Sequence, residues 1–313
     1  MPDSRTILIA GPTATGKSAI ALLLAERIGG EIISVDSMQV YRGLDIGTAK
    51  PSREDRERVR HHVIDVVDVT QPFDAAQFVR LARVAEADIR SRGRVPILCG
   101  GTGLYFKAFL EGLGEAPPAD EALRRELESA PLPELLHELE LRDPVTYERI
   151  DRKNPRRVIR AVEVIRLTGR PFSEQREDWS RTEQNGHPRS RRPAMRTFGI
   201  SRSSEDLYRR IAARVDAMFV SGLVAETEQL LRQGLAANRT AMQALGYRQV
   251  IHHLGGGPSL SETIELVKIR TRQFARRQKT WFRHQMDLTW LELGPEDSAE
   301  SVVEQMLSAS DGR

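Results

Sequence analysis

Residues 5–18 read Arg5-Thr-Ile-Leu-Ile-Ala-Gly-Pro-Thr-Ala-Thr-Gly-Lys-Ser18. A β-type apolar run leads into Gly11, four residues intervene, and Gly16-Lys17-Ser18 follow. This is the strand, G-x-x-x-x-G-K-[ST], helix pattern of a phosphate-binding loop. Glycines let the backbone wrap an anion with its N–H groups. Lys17 adds a point charge, and the Ser18 hydroxyl can ligate Mg²⁺. The helix that begins there turns its positive end toward the same anion. The pattern implies a polyphosphate guest and leaves open whether the phosphate is transferred, hydrolysed or expelled.

Outward from the loop, residues 17–28 carry Ile20, Leu23, Leu24 and Ile28 at helical spacing, with Gly29-Gly30 as the stop. Glu31-Ile-Ile-Ser-Val35 is a short strand ending at Asp36-Ser37. In a parallel α/β sheet, ligands sit beyond the carboxyl ends of the strands, so Asp36 lies near the loop if the two strands are neighbours. A turn or helix-cap role is the commoner fate of an Asp after a strand and is the other reading of Asp36. Residues 38–51 are aperiodic and polar in variety, the character of a functional segment. Residues 53–60 mix both charges, and His61 to Val67 returns to strand character. His61 and His62 are read as strand-entry residues rather than metal ligands, because no Cys or second His cluster lies nearby. Asp74 caps a helix to about Arg92 with Phe78, Leu81, Val84, Ala85 and Ile89 inward. Val95 to Cys99 is a buried strand closed by Gly100-Gly-Thr-Gly103. An ATP-hydrolysing phosphate-loop protein usually ends an apolar strand in a Mg²⁺-holding Asp. Here that place holds Gly-Gly-Thr, which leaves Asp36 as the main acidic candidate.

At 313 residues the chain is long enough for a large core and a second unit. Its 40% hydrophobic and 29% charged residues are ordinary for a globular protein. The net charge of +3 says little about nucleic acid by itself; clustering matters more. Cys99 is the single cysteine, so neither an intramolecular disulfide nor a Cys-based zinc site is expected. The apolar run at residues 7–10 is too short for a signal segment, so none is expected, and no run of about 18 apolar residues occurs in the sequence. A cytoplasmic monomer without a membrane partner is the expectation.

The composition shifts near Glu115. Residues 115–193 read as an inserted helical subdomain, with 1–114 and 194–313 forming the phosphate-loop core. In the insert Val158, Val162 and Ile165 share one face and Arg156 and Arg160 another. Residues 180–193 read as a polar loop, and Met195 to Ile200 as a strand returning to the sheet. Further helices carry Leu207, Ile211, Val215, Met218 and Phe219, then Leu223 to Leu231, and a third interrupted by Gly246-Tyr247. Ser259 and Glu262 have capping-box spacing and open a helix to about His284. On it Arg272, Arg276, Lys279 and Arg283 line one face: a solvated stripe, or a surface for nucleic acid with Trp281 and Phe282 for stacking. Leu288 to Leu291 adds a last strand, and 298–309 a terminal helix. The fold class is thus α/β, a doubly wound parallel sheet with a phosphate-binding loop and an inserted, mostly helical subdomain.

Four stretches together resemble the bacterial tRNA dimethylallyltransferases: Gly11 to Ser18; Asp36 through Gly47-Thr-Ala-Lys-Pro51; Gly100-Gly-Thr-Gly-Leu-Tyr105; and Arg270 to Arg283. Arg156 to Glu163 and the region of Gly246-Tyr247 are also similar. Thr15, Phe274 and Arg276 stand where the family more often has Ser, Tyr and Lys, and none removes a needed group. The resemblance implies transfer of a dimethylallyl group from dimethylallyl diphosphate to N6 of adenosine 37 in tRNA, with diphosphate leaving. It implies that Gly11, Pro12, Thr13, Ala14, Thr15, Gly16, Lys17, Ser18 and Arg214 bind the diphosphate, with Mg²⁺ on Ser18. Asp36 would be the general base and Thr102 would stand at the reaction channel. It implies contacts to the tRNA anticodon stem-loop from Asp36, Ser37, Met38, Gln39, Thr102 and Arg124. The same holds for Arg156, Arg157, Val158, Ile159 and Arg160, and for Ala241, Met242, Gln243, Ala244, Leu245 and Gly246. From the long helix it implies Arg276, Arg277, Gln278, Lys279, Thr280, Trp281, Phe282 and Arg283. A phosphate-loop kinase or ATPase, and a prenyltransferase acting on free adenine nucleotides, are the alternatives.

Overall fold

The computed structural model describes residues 6–114, 116–175 and 195–308. In chain order, β1 (Ile7–Ala10) feeds α1 (Lys17–Ile28), β2 (Gly30–Val35), α2 (Arg53–Arg58), β3 (His61–His62), α3 (Ala75–Ser91), β4 (Val95–Gly100) and α4 (Gly103–Glu111). The helices α5 (Glu121–Ser129), α6 (Leu132–Arg142), α7 (Pro144–Arg149), α8 (Pro155–Thr168) and α9 (Phe172–Gln175) come next. The chain then forms β5 (Arg196–Arg202), α10 (Ser204–Val220), α11 (Leu223–Arg232), α12 (Tyr247–Leu254), α13 (Leu260–Gln285), β6 (Thr289–Leu293) and α14 (Ala299–Ser308). Two compact units result: Met1–Phe109 with Arg192–Arg313, and Leu110–Arg191.

The first unit is built on a six-stranded sheet in the order β3-β2-β4-β1-β5-β6, with every pairing parallel. Strands buried on both faces read as continuous apolar runs, which is why β1 and β4 showed no alternation. A core of Ile7, Ile9, Ile20, Leu24, Ile97 and Ile200 fixes α1 on the sheet. β1 lies between β4 and β5, so β1 and β2 are not neighbours. β2 instead pairs with β4 along its length, from Gly30 with Val95 to Val35 with Gly100. The carboxyl ends of β1, β4 and β2 therefore stand side by side, with the Gly100–Thr102 turn between the loop and Asp36.

Three local expectations change. Only His61–His62 pairs as a strand. Val63 and Asp65 take φ of 61° and 55°, which ends the extended run, and the chain rejoins only as a bridge between Tyr41 and Val67. His62 hydrogen-bonds Glu31 at 2.7 Å, a structural partnership at the start of β2. On α3 the inward face is Phe78, Ala82, Ala85 and Ile89; Val84 is 64% exposed, because 100° per residue carries it to the outer side. Gly246 does not interrupt a helix; it caps the start of α12, after a 3₁₀ turn at Ala241–Gln243. On α13 the capping box of Ser259 and Glu262 is formed, an arrangement that stabilises a helix start by about 1 kcal/mol.

The second unit packs α5, α6 and α8 around Leu127, Leu135, Leu139, Val158, Val162 and Ile165. Glu163, fully buried, accepts from the Asp120 N–H at 3.1 Å and from Arg124 and Arg160, each at 2.7 Å. The 180–193 reading falls outside the described residues. Among the described residues no helix is long and apolar enough to cross a membrane, and Cys99 is a buried free thiol.

Candidate active site

The carboxyl ends of β1, β2 and β4 open into a cavity of about 1640 Å³, whose other walls are α10, residues 242–252 and α13. All of its lining belongs to the first unit. Gly11 is required by geometry: φ is 144°, and a Cβ there would stand 2.4 Å from the Ile200 carbonyl oxygen of β5. Beyond it the loop's carbonyls are tied away from the cavity. Arg210 Nε donates to the Ala14 carbonyl at 3.1 Å, and Arg202 Nε to that of Thr15 at 3.0 Å. The Thr15 hydroxyl and Lys17 Nζ both donate to the Pro12 carbonyl. α1 then opens on Gly16 with no side-chain cap, so its first-turn N–H groups are left for an anion.

Two recessed cations face that turn. Lys17 is 8% exposed, and burial pulls its ammonium down to about 8, with Arg214 adding to the shift and Asp36 opposing it. Arg214 is likewise lowered by burial and supported by Asp36. A desolvated cation is stabilised by an anion in contact with it. Burial also pushes the Cys99 thiol up to about 11, so it stays protonated behind Lys17. Thr13, Ala14, Gly16 and Ser18 line the cavity with Lys17. Gly11, Pro12 and Thr15 do not; they shape the loop from behind.

Asp36 and Thr102 come together across β2 and β4. Asp36 Oδ1 accepts from the N–H groups of Met38 at 2.8 Å and Gln39 at 3.3 Å, so Asp36 is a turn residue as well as a wall residue. The next N–H, of Ser37, donates to Thr102 Oγ1 at 3.1 Å, and the Thr102 N–H donates to Val35 at 3.1 Å. Gln39 receives the Ser34 hydroxyl at 2.8 Å and donates to the Thr48 carbonyl at 3.1 Å, which folds the 47–49 segment against the cavity. Glu226 and Tyr247 secure that segment from behind. Glu226 accepts from the Ile46 N–H at 3.0 Å, Tyr247 accepts from the Gly47 N–H at 3.0 Å, and the Tyr247 hydroxyl donates to Glu226 at 2.6 Å.

The basic stripe on α13 is redirected. Arg272 lies over the Tyr208 ring, Arg276 donates to the Tyr208 hydroxyl, Lys279 to the Arg202 carbonyl, and Arg283 to Glu292. These four contacts run to α10, β5 and β6, while Arg276 and Arg283 stay exposed. The side toward the cavity carries Arg270, Gln273, Phe274 and Arg277, at steps of three, four and seven from Arg270. Phe282 is not a stacking platform, since it is fully buried against Phe106; Trp281, half-buried, packs edge-on to it. Thr280 is exposed but lies outside the cavity wall. Gln278 does line the cavity, yet its amide is spent on Thr13 and Gly101.

Of the remaining residues, Met242, Gln243, Ala244 and Leu245 line the cavity, whereas Ala241 is buried behind them and Gly246 caps α12. In the second unit Arg156 and Arg157 are exposed and Ile159 half-buried. Val158 is wholly inside that unit's core, so its side chain is not a contact surface. Arg124 and Arg160 are held by Glu163. The sequence reading missed Arg202, Arg210, Arg248 and Arg270. Arg210 and Arg214, four apart on an amphipathic helix, carried a readable signal; Arg202 and Arg248 did not.

The chain matches the family described as IPP transferase over residues 39–285. It is 47% identical over 306 residues to the tRNA dimethylallyltransferase of Geobacter metallireducens, covering 96% of each chain. Among solved structures it is similar to the full-length tRNA isopentenylpyrophosphate transferase of Bacillus halodurans, with a TM-score of 0.70, 37% identity and coverage of 98% of this chain and 96% of that one. It is also similar to a eukaryotic dimethylallyltransferase acting on tRNA, with a TM-score of 0.77, 26% identity and coverage of 99% and 80%. The chain belongs to the IPP transferase family, among the tRNA dimethylallyltransferases.

Proposed function

We propose that the protein transfers the dimethylallyl group of dimethylallyl diphosphate to N6 of adenosine 37 in the tRNA anticodon loop. The observation that carries the reading is the meeting of a leaving-group cradle and a carboxylate in one cavity. The N6 lone pair forms a bond to C1 of the dimethylallyl group as the C1–O bond breaks, and the bonding electrons leave on the diphosphate. Lys17, Arg214 and the first-turn N–H groups of α1 stabilise that charge as it develops. Asp36 takes the N6 proton on Oδ2, since Oδ1 is held by Met38 and Gln39. Thr102 accepts from Ser37, so its own O–H is left to donate into the cavity. A cavity of about 1640 Å³ exceeds the roughly 300–1,000 Å³ of a single-ligand pocket, room for a prenyl diphosphate and an extruded base together.

Mg²⁺ fits the donor chemistry. Ser18 offers a hard oxygen to the cavity, and among the described residues no group of three or more His, Cys, Asp or Glu forms a protein-only cage. Mg²⁺ favours that arrangement, with few protein oxygens and the substrate's phosphates completing its shell. Bound there it would supply further charge neutralisation on the diphosphate.

Incubation with unmodified tRNA, dimethylallyl diphosphate and Mg²⁺, followed by nucleoside mass spectrometry, is expected to show one dimethylallyl group added to adenosine. Steady ATP turnover with no gain in mass would overturn the reading in favour of a kinase or ATPase. The tRNA is held by the cavity rim of α13 and by Arg156 and Arg157 of the insert. Replacing Arg277 by Ala is therefore expected to weaken tRNA binding and to reduce the slope of log K against log salt by about 1. The same change at Arg276, which is bonded to Tyr208, leaves the slope unaltered. Equal slopes for the two variants would return RNA contact to the other face of the helix.

A further inference from the structure

α13 reaches both the anion loop and the Thr102 turn through a single buried side chain. Gln278 is 8% exposed. Its Oε1 accepts the Thr13 N–H at 2.9 Å, and its Nε2 donates to the Gly101 carbonyl at 2.9 Å. Thr13 is thus a loop N–H held by protein rather than left to an anion. The amide joins the turn after β1 to the turn after β4, and only a group that both accepts and donates can do so.

The helix is also pressed closely against the second turn. A Cβ on Gly101 would stand 2.4 Å from Gln278 Nε2, and one on Gly103 would stand 2.1 Å from the Trp281 ring. Thr102 is clamped between those two approaches, and its hydroxyl receives the Ser37 N–H next to Asp36. One turn and one residue before Gln278, the same helix presents Phe274 and Arg277 to the cavity. A packed helix moves as a unit, so a displacement on its RNA-facing side is passed on at Thr13 and Thr102.

We propose that Gln278 is a positioning residue that keys the diphosphate loop to the RNA-facing helix, so that each substrate binds more tightly when the other is present. The proposal rests on the functional reading above. By linkage the effect is reciprocal: RNA tightens diphosphate by the same factor as diphosphate tightens RNA. A residue that merely supports the loop would change diphosphate affinity equally with and without RNA.

The test is the affinity for inorganic diphosphate, measured calorimetrically in the presence of Mg²⁺ with and without a saturating unmodified anticodon stem-loop RNA. For the unaltered protein the RNA is expected to tighten diphosphate by about fivefold or more. In Gln278→Met, of similar volume but without either hydrogen bond, the ratio falls to one. Gln278→Glu keeps the acceptor for Thr13 but sets a second acceptor against the Gly101 carbonyl. It binds diphosphate more weakly, loses the coupling as well, and serves if the methionine variant does not fold. A ratio of one in the unaltered protein, or an undiminished ratio in a folded variant, overturns the proposal. Prenyl transfer to the stem-loop is followed in the same samples. Its absence from the unaltered protein defeats the functional reading, whereas transfer with an undiminished variant ratio defeats only the role of Gln278.

Discussion

Asp36→Asn is expected to lower the single-turnover rate of prenyl transfer by roughly 10²–10⁴-fold while leaving tRNA binding unchanged. The substitution separates two functions of one side chain. Asp36 Oδ1 accepts from the Met38 and Gln39 N–H groups, an interaction that an asparagine oxygen reproduces. The turn then survives, and with it the bond from Ser37 to Thr102. The amide has no basic oxygen for the N6 proton, so only the proton transfer is lost. Asp36→Ala removes both functions and releases two backbone N–H groups at the cavity wall, so it also weakens tRNA binding. Rapid-quench transfer assays alongside stem-loop binding check the pair. Full activity in the asparagine variant would remove Asp36 from the role of base and leave it a turn residue.

The sequence made the strand ends readable because their signals are local. The glycine spacing of 11 and 16, the Asp after β2 and the Gly-Gly-Thr after β4 each report a turn built from adjacent residues. The order of those strands was not readable, since β4 enters between β1 and β2 through pairings made by residues more than sixty positions apart. What the basic stripe on α13 faces was not readable for the same reason. Arg272, Arg276, Lys279 and Arg283 form the longer run of charge, but Tyr208, Arg202 and Glu292 on other elements engage them. Charge spacing locates a stripe on a helix; what that stripe faces is set by tertiary partners. Gln278 stood inside the expected contact region, but its use as a brace depends on Thr13 and Gly101, far from it in sequence.

Lys17→Met is expected to lower transfer by about 10²–10³-fold, the cost of losing one oriented charge from a developing anion, and at the same time to raise the melting temperature of the ligand-free protein. The two outcomes share a cause. Burial lowers Lys17 from 10.5 to about 8, so holding it charged in the empty site at neutral pH costs about 3 kcal/mol. The sign follows from linkage. The folded pKa lies below the unfolded one, so the penalty is complete below pH 8 and is relieved between about 8 and 10.5. The stability gained by the methionine variant should therefore be largest near neutral pH and shrink across that window. Diphosphate has the opposite effect: it holds the proton on Lys17, and its affinity falls as pH rises through about 8. Melting curves for both proteins, with diphosphate titrations of the unaltered one from pH 7 to pH 10, measure each side of this cycle. An affinity flat across that range, or a destabilised methionine variant, would mean that the hydrogen bond to the Pro12 carbonyl outweighs desolvation. The expected pattern instead makes the empty loop a store of unfavourable charge, released when the leaving group settles against it.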